Sequence, residues 1–97
     1  MQRYCVFLER IALKQLEKIK GETRERIVKT LYILRDEGFS KRLDVIKLRG
    51  SKNHYRIRIG KYRILFELAP DKTVVVYAIL PREVIPVNRK SISKLVR

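Results

Sequence analysis

The chain has 97 residues, 24 Lys and Arg against 10 Asp and Glu, a formal charge of +14 and a hydrophobic content of 45%. That balance suits one folded domain with a modest core, excludes a disordered tail, and calls for a polyanionic or acidic partner. One cysteine and one histidine exclude an internal disulfide framework and a cysteine-rich zinc site, so no metal and no small-molecule cofactor is expected.

In chain order, Gln2–Leu8 (QRYCVFL) reads as a strand, with Cys5 an inert core thiol in an apolar run. Glu9–Lys20 carries Ile11, Ala12, Leu16 and Ile19 near helical spacing, and Gly21 is a natural stop. Thr23–Glu37 is a second amphipathic helix on Ile27, Leu31 and Leu34, closed by Gly38. Asp44–Arg49 is a strand and Gly50–Asn53 a turn. His54–Ile59 and Tyr62–Leu68 form a hairpin across Gly60-Lys61, a two-residue connection of the Gly-X type. Ala69-Pro70-Asp71-Lys72 has the residues of a type I turn. Thr73–Leu80 (TVVVYAIL) is the strongest strand pattern, and Pro81 and Pro86 end the regular sheet. The basic tail 88–97 is a short helix or a mobile arm. No linker divides the chain, so residues 1–97 read as one domain. The expected class is α+β in the order β-α-α-β-β-β-β, an antiparallel meander with two N-terminal helices packed on one face.

The Gly60-Lys61 turn sets a register. If Ile59 pairs with Tyr62, then Arg58 faces Arg63, Ile57 faces Ile64, Tyr55 faces Phe66 and His54 faces Glu67. One sheet face carries Tyr55, Ile57, Ile59, Tyr62, Ile64, Phe66 and Leu68. Pairing Leu68 with Thr73 adds Val75, Tyr77 and Ile79 to it. This apolar face is the expected core beneath the helices. The opposite face carries His54, Arg56, Arg58, Arg63 and Glu67, beside an exposed apolar strip of Leu65, Val74 and Val76. That strip is expected to be covered by a partner segment or by Ile92, Leu95 and Val96 of the same chain.

Two arginines directly opposite one another on a sheet face repel. Arg56, Arg58 and Arg63 thus converge into an expected anion site, suited to a nucleic-acid phosphate. Arg82 continues the parity of the last strand and can reach the cluster, with Ala78 expected opposite Arg63. Lys47 and Arg49 extend the basic surface as phosphate-steering charges. Lys52, His54, Arg89 and Lys90 complete the expected RNA-binding set, while Lys41 and Arg42 carry weaker signals. Met1–Leu8 lacks the apolar centre of a signal peptide, and no run approaches ~18 apolar residues. The expected location is the cytoplasm, with no membrane partner. Abundant Ile, Lys, Glu and Arg match the bias of hyperthermophile proteins.

At Lys47-Leu48-Arg49-Gly50, His54 to Gly60, Tyr62-Arg63-Ile64 and the Val-rich last strand leading to Arg82, the chain resembles the RelE/ParE superfamily of toxins. The shared element order extends the resemblance over nearly the whole chain. It implies a RelE-like fold and a toxin of a type II toxin–antitoxin system that enters the ribosomal A site. There it would cleave mRNA without a metal, by attack of the ribose 2′-OH on the adjacent phosphate. It implies that Arg56, Arg58, Arg63 and Arg82 orient the RNA, stabilise the transition state and protonate the leaving 5′-oxygen. It also implies a RelB-like antitoxin, the ribosome and mRNA as partners. Two features depart from the pattern. Some members carry a tyrosine shortly after the Arg82 position, where this chain has Asn88. The paired basic positions are both arginine, which cannot act as a base; His54 stands open for that role, or as a partly exposed cross-strand partner of Glu67. A ParE-like toxin that binds DNA gyrase, and a non-catalytic RNA-binding module, remain as alternatives.

Overall fold

The computed structural model describes residues 3–83. A five-stranded sheet holds β1 (Cys5–Leu8), β2 (Val45–Lys47), β3 (His54–Ile59), β4 (Tyr62–Ala69) and β5 (Thr73–Pro81), with α1 (Arg10–Lys18) and α2 (Gly21–Glu37) between β1 and β2. The spatial order is β1-β5-β4-β3-β2. β2 to β5 form the antiparallel meander, while β1 pairs parallel to β5 at the opposite edge. Both helices separate β1 from β2 in sequence, so β1 is free to run back across the sheet to the last strand. The α+β class and element order match the sequence reading. Gly21 differs, since it opens α2 rather than ending α1.

The period of two sorts the side chains. Ile57, Ile59, Ile64 and Phe66 pack with Ala12, Leu16, Ile27 and Leu34 of the helices in one buried core. Phe66, Ile27, Leu34 and Ile64 have no exposed surface, and each large apolar side chain removed from water contributes roughly 1.5–3 kcal/mol before entropy is counted. Tyr55 stacks on Phe66 at 5.5 Å between ring centroids, and Phe39 packs edge-on to both.

The β4–β5 register corrects the sequence reading. Thr73 pairs with Ala69 rather than Leu68, and the ladder shifts again between Leu65 and Phe66. Val76 pairs with Phe66 and Ala78 with Leu65, so Tyr77 is the extra residue of a β-bulge. Val74, Val76 and Ile79 therefore join the helix-side core. Tyr77 and Ala78 both turn to the other side, where they bury Leu65. The exposed apolar strip does not exist: Leu65, Val74 and Val76 are fully buried. The turn before β5 is not type I. Asp71 and Lys72 both have positive φ (61° and 56°), as a primed turn requires. Past the end of β1, the Ile79 N–H donates to Gln15 Oε1 at 2.7 Å, which ties α1 to the bulged strand.

Cys5 is exposed rather than in the core. Val6 and Leu8 take the core side of β1, and alternation turns Cys5 and Phe7 outward. The predicted tail, including Asn88, Ile92, Leu95 and Val96, lies outside the described residues.

α2 ends at Gly38, whose N–H donates to Leu34 O at 2.9 Å with φ 70° and ψ −136°. A Cβ there would lie 2.5 Å from Tyr4 Cε1. Gly38→Ala combines a disfavoured backbone conformation with this clash, so the expected loss is about 2 kcal/mol or more in denaturant-melting experiments.

Candidate active site

The β3–β4 register is as the turn predicts: Arg58 opposite Arg63, Arg56 opposite Leu65, and His54 opposite Glu67. On β5, Leu80 rather than Ala78 lies opposite Arg63. The Arg82 N–H donates to Lys61 O at 2.5 Å. That bond folds the chain after β5 against the hairpin turn and brings Arg82 beside the cluster. Arg63 is held below the ordinary guanidinium value, first by desolvation and then by the charges of Arg56, Arg58 and Arg82. The four arginines named from sequence therefore share one electrostatic site.

The site is short of acceptors. Among the described residues, the Nε atoms of Arg56 and Arg63 are shut off from solvent with no hydrogen-bond partner, although both side chains are only half-buried. Arg58 is held from the flank: its Nε donates to Asp44 Oδ2 at 2.9 Å, and its backbone N–H donates to Asp44 O at 3.1 Å. A row of Asp44, Arg58, Arg63 and Leu80 thus crosses the sheet, with one carboxylate at its end. Planar guanidinium groups on a rigid sheet, with unused donors, can make two-point contacts to phosphate oxygens. In such a site charge developing on a phosphate would meet donors that need no rearrangement.

His54 borders this face but is buried, not partly exposed (7%). Its Nδ1 is hydrogen-bonded to Ser51 Oγ. Its Nε2 lies 3.8 Å from Glu67 Oε1, and its ring packs edge-on to Tyr77 at 5.9 Å. Burial comes from the β4–β5 register, which turns Tyr77 to the arginine side. Tyr77 is the residue that sequence reasoning missed here, because an apolar run on both parities contains no mark of its register.

The outer basic residues divide. Ile46, not Lys47, lies opposite Arg56, whereas Lys47 pairs with Tyr55. Lys47 therefore belongs to the other face of the sheet, at its exposed edge, and does not extend the arginine surface. Leu48 packs with Leu65, Tyr77 and Ala78 instead. Arg49 and Lys52 are exposed in the connection between β2 and β3. Arg89 and Lys90 lie outside the described residues. Among the described residues, no three His, Cys, Asp or Glu side chains gather as a metal site would require.

Residues 6–86 match the family of ParE toxins of type II toxin–antitoxin systems. The chain belongs to the RelE/ParE superfamily. It is 32% identical over 80 residues to Toxin RelE3 of Methanocaldococcus jannaschii, covering 80% of this chain and 90% of the relative. In structure it resembles the archaeal RelE–RelB complex from Pyrococcus horikoshii, with a TM-score of 0.74 and 27% identity over 87% of this chain and 100% of that one. The RelB–RelE complex from Methanococcus jannaschii gives a TM-score of 0.70 at 27% identity, covering 82% and 99%. The protein is thus a type II toxin with a RelE-like fold.

The repulsion within the site has a measurable cost. A base whose pKa falls on folding destabilises the fold in its charged form. Arginine stays charged across the neutral range, so this cost is constant there and is relieved only above the folded-state pKa. Arg63→Met is therefore expected to raise stability by about 0.2–1 kcal/mol, the scale of a like-charge cross-strand pair. The same variant should lose affinity for polyanions. Thermal melting and RNA titration check the two halves.

Proposed function

We propose that the protein is a ribosome-dependent endoribonuclease that cleaves mRNA without a metal. The observation that carries this reading is the convergence of Arg56, Arg58 and Arg63 on one sheet face, with Arg82 tied to the hairpin turn just past β5 and two buried guanidinium Nε atoms lacking acceptors among the described residues. The similarity to RelE3 and to the archaeal RelE chains supports it.

In the proposed reaction the ribose 2′-oxygen attacks the adjacent phosphorus as its proton passes to water, and the bond to the 5′-oxygen breaks as that oxygen takes up a proton from water, leaving a 2′,3′-cyclic phosphate and a 5′-hydroxyl. Negative charge accumulates on the non-bridging oxygens as the phosphorus becomes five-coordinate. Arg63 and Arg56 face that charge from the sheet, and Arg82 approaches from the end of β5. Arg58, anchored by Asp44, flanks them. A guanidinium can stabilise and donate but cannot accept the 2′-proton at neutral pH. His54 has one ring nitrogen bonded to Ser51 and lies beneath the face, so its proposed role is to hold that face in place.

The partner chemistry follows from charge. A +14 chain with an arginine face that Asp44 compensates only at Arg58 suits an acidic antitoxin, and the two archaeal structural relatives are complexes with RelB. A RelB-like antitoxin that places carboxylates against Arg56 and Arg63 would silence the site. The ribosome and its mRNA are the targets of the free toxin, which would act in the cytoplasm.

The match to ParE toxins favours one second reading, inhibition of DNA gyrase, which has no use for a phosphate-binding arginine cluster. Primer extension on a defined mRNA in a reconstituted translation system separates the two. Cuts within A-site codons are expected only with ribosomes, and Arg63→Ala and Arg82→Ala should each slow cleavage by about 10²–10³-fold. Intact mRNA, together with loss of supercoiling in a gyrase assay, would establish the second reading instead.

A further inference from the structure

A cleft of about 320 Å³ opens on the helix side of the β2–β3 edge, between α2 and the end of the hairpin. Four cations line it, Arg26, Lys29, Arg42 and Arg58, against one carboxylate, Asp44. Two of the four are partly compensated: Arg58 by Asp44 through Nε, and Arg42 by Glu37 through Nη1 at 2.9 Å. Each of those guanidinium groups keeps further donors, since arginine has five.

Arg26 and Lys29 are the unexplained pair. They stand three residues apart on one helix face, where like charges repel. The sequence offers each a natural partner one turn earlier, Glu22 for Arg26 and Glu25 for Lys29, in the favourable order for an i,i+4 bridge. Neither bridge forms, and among the described residues neither cation has an ion-pair partner. Arg26 instead reaches over the hairpin turn, its Nη1 lying 3.4 Å from where a Cβ of Gly60 would stand. Cations walling a cleft with a low-dielectric floor concentrate positive potential inside it.

We propose that this cleft is a second phosphate subsite, which takes a backbone phosphodiester of the same RNA that lies on the arginine face. Arg58 belongs to both sites, since its charge acts on Arg63 and its side chain lines the cleft. A strand crossing the β2–β3 edge would meet Arg58 between the two, with Asp44 the one carboxylate lining the cleft there. Arg26 and Lys29 position the backbone there and take no part in the bond-breaking step. The inference rests on the RNA reading above.

The test is fluorescence anisotropy with a 2′-O-methyl RNA oligonucleotide, which lacks the attacking hydroxyl and stays intact, between ~50 and ~200 mM salt. The double variant Arg26→Gln with Lys29→Gln is compared with Lys14→Gln with Lys18→Gln, which removes the same charge from exposed positions on α1. Loss of the one phosphate contact should reduce the slope of log affinity against log salt by about 0.7, so that binding weakens by roughly 2.6-fold more at the lower salt than at the higher. The α1 pair should leave the slope unchanged, and both variants should melt like the wild type. Equal effects of the two pairs would overturn the proposal. So would an unchanged RNA titration alongside weakened binding of polyglutamate, which would assign the cleft to an acidic protein. Arg63→Ala keeps the two readings apart: if it weakens RNA binding while the cleft variant does not, only the cleft assignment fails. If wild type binds no RNA in the absence of ribosomes, the cleft assignment fails, while the reading above stands or falls on the primer extension.

Discussion

Everything functional in this protein hangs on the pairing of β3 with β4. Gly60, with φ 53°, lets the chain reverse in a tight turn, and from there each residue of one strand has a defined partner on the other. Because side chains alternate with a period of two, the register that buries Ile57, Ile64 and Phe66 also places Arg56, Arg58 and Arg63 together on the far side. A slip of one residue would drive three guanidinium groups under the helices, at a desolvation cost far beyond what the hairpin contributes. The core therefore enforces the cationic site: hydrophobic burial holds mutually repelling charges in place.

That arrangement divides the work between the two faces of the sheet. The helix side is a closed apolar core and supplies stability. The other side is left electrostatically incomplete, with one carboxylate, Asp44, at the flank of the arginine row and no acceptor among the described residues at two of its buried nitrogens. A preorganised anion site has this character, because donors already oriented by the fold lose little on meeting a phosphate. The same incompleteness suits a negatively charged partner. Stability and charge thus pull against one another at Arg63, where desolvation and three neighbouring cations oppose its ionised form.

The register of β5 and its bulge at Tyr77 show how one strand reorganises a site. The pairing of Ala69 with Thr73 moves Val74 and Val76 into the core and gives Tyr77 the parity of the arginine side, and the added residue turns Ala78 to that side as well and returns Ile79 to the core. There Tyr77 and Leu48 close over Leu65, and the ring of His54 becomes enclosed. What would have been an apolar strip open to a partner is filled from within the chain. The sticky surface expected beside the arginines is absent, and recognition on that side is left to charge.

The sequence by itself determined the element order, the α+β class, the β3–β4 register and the cluster of Arg56, Arg58 and Arg63. Each follows from local rules: a Gly-X turn, alternation, and the avoidance of buried charge. The reach of Arg82 to that cluster was also legible, although the bond that secures it, from its N–H to Lys61 O, was not. Only the tertiary structure decided the parallel docking of β1 on β5, the bulge, the burial of His54, the exposure of Cys5 and the face on which Lys47 lies. These depend on contacts between segments distant in the chain. In TVVVYAIL both parities are apolar, so no pattern tells which side each residue takes. Lys47 sits in a three-residue strand whose phase is set by its partner β3 rather than by its own alternation. Local chemistry specifies a strand and its turn; the choice of neighbour and of the point where the ladder breaks belongs to the packing of the whole sheet against its helices.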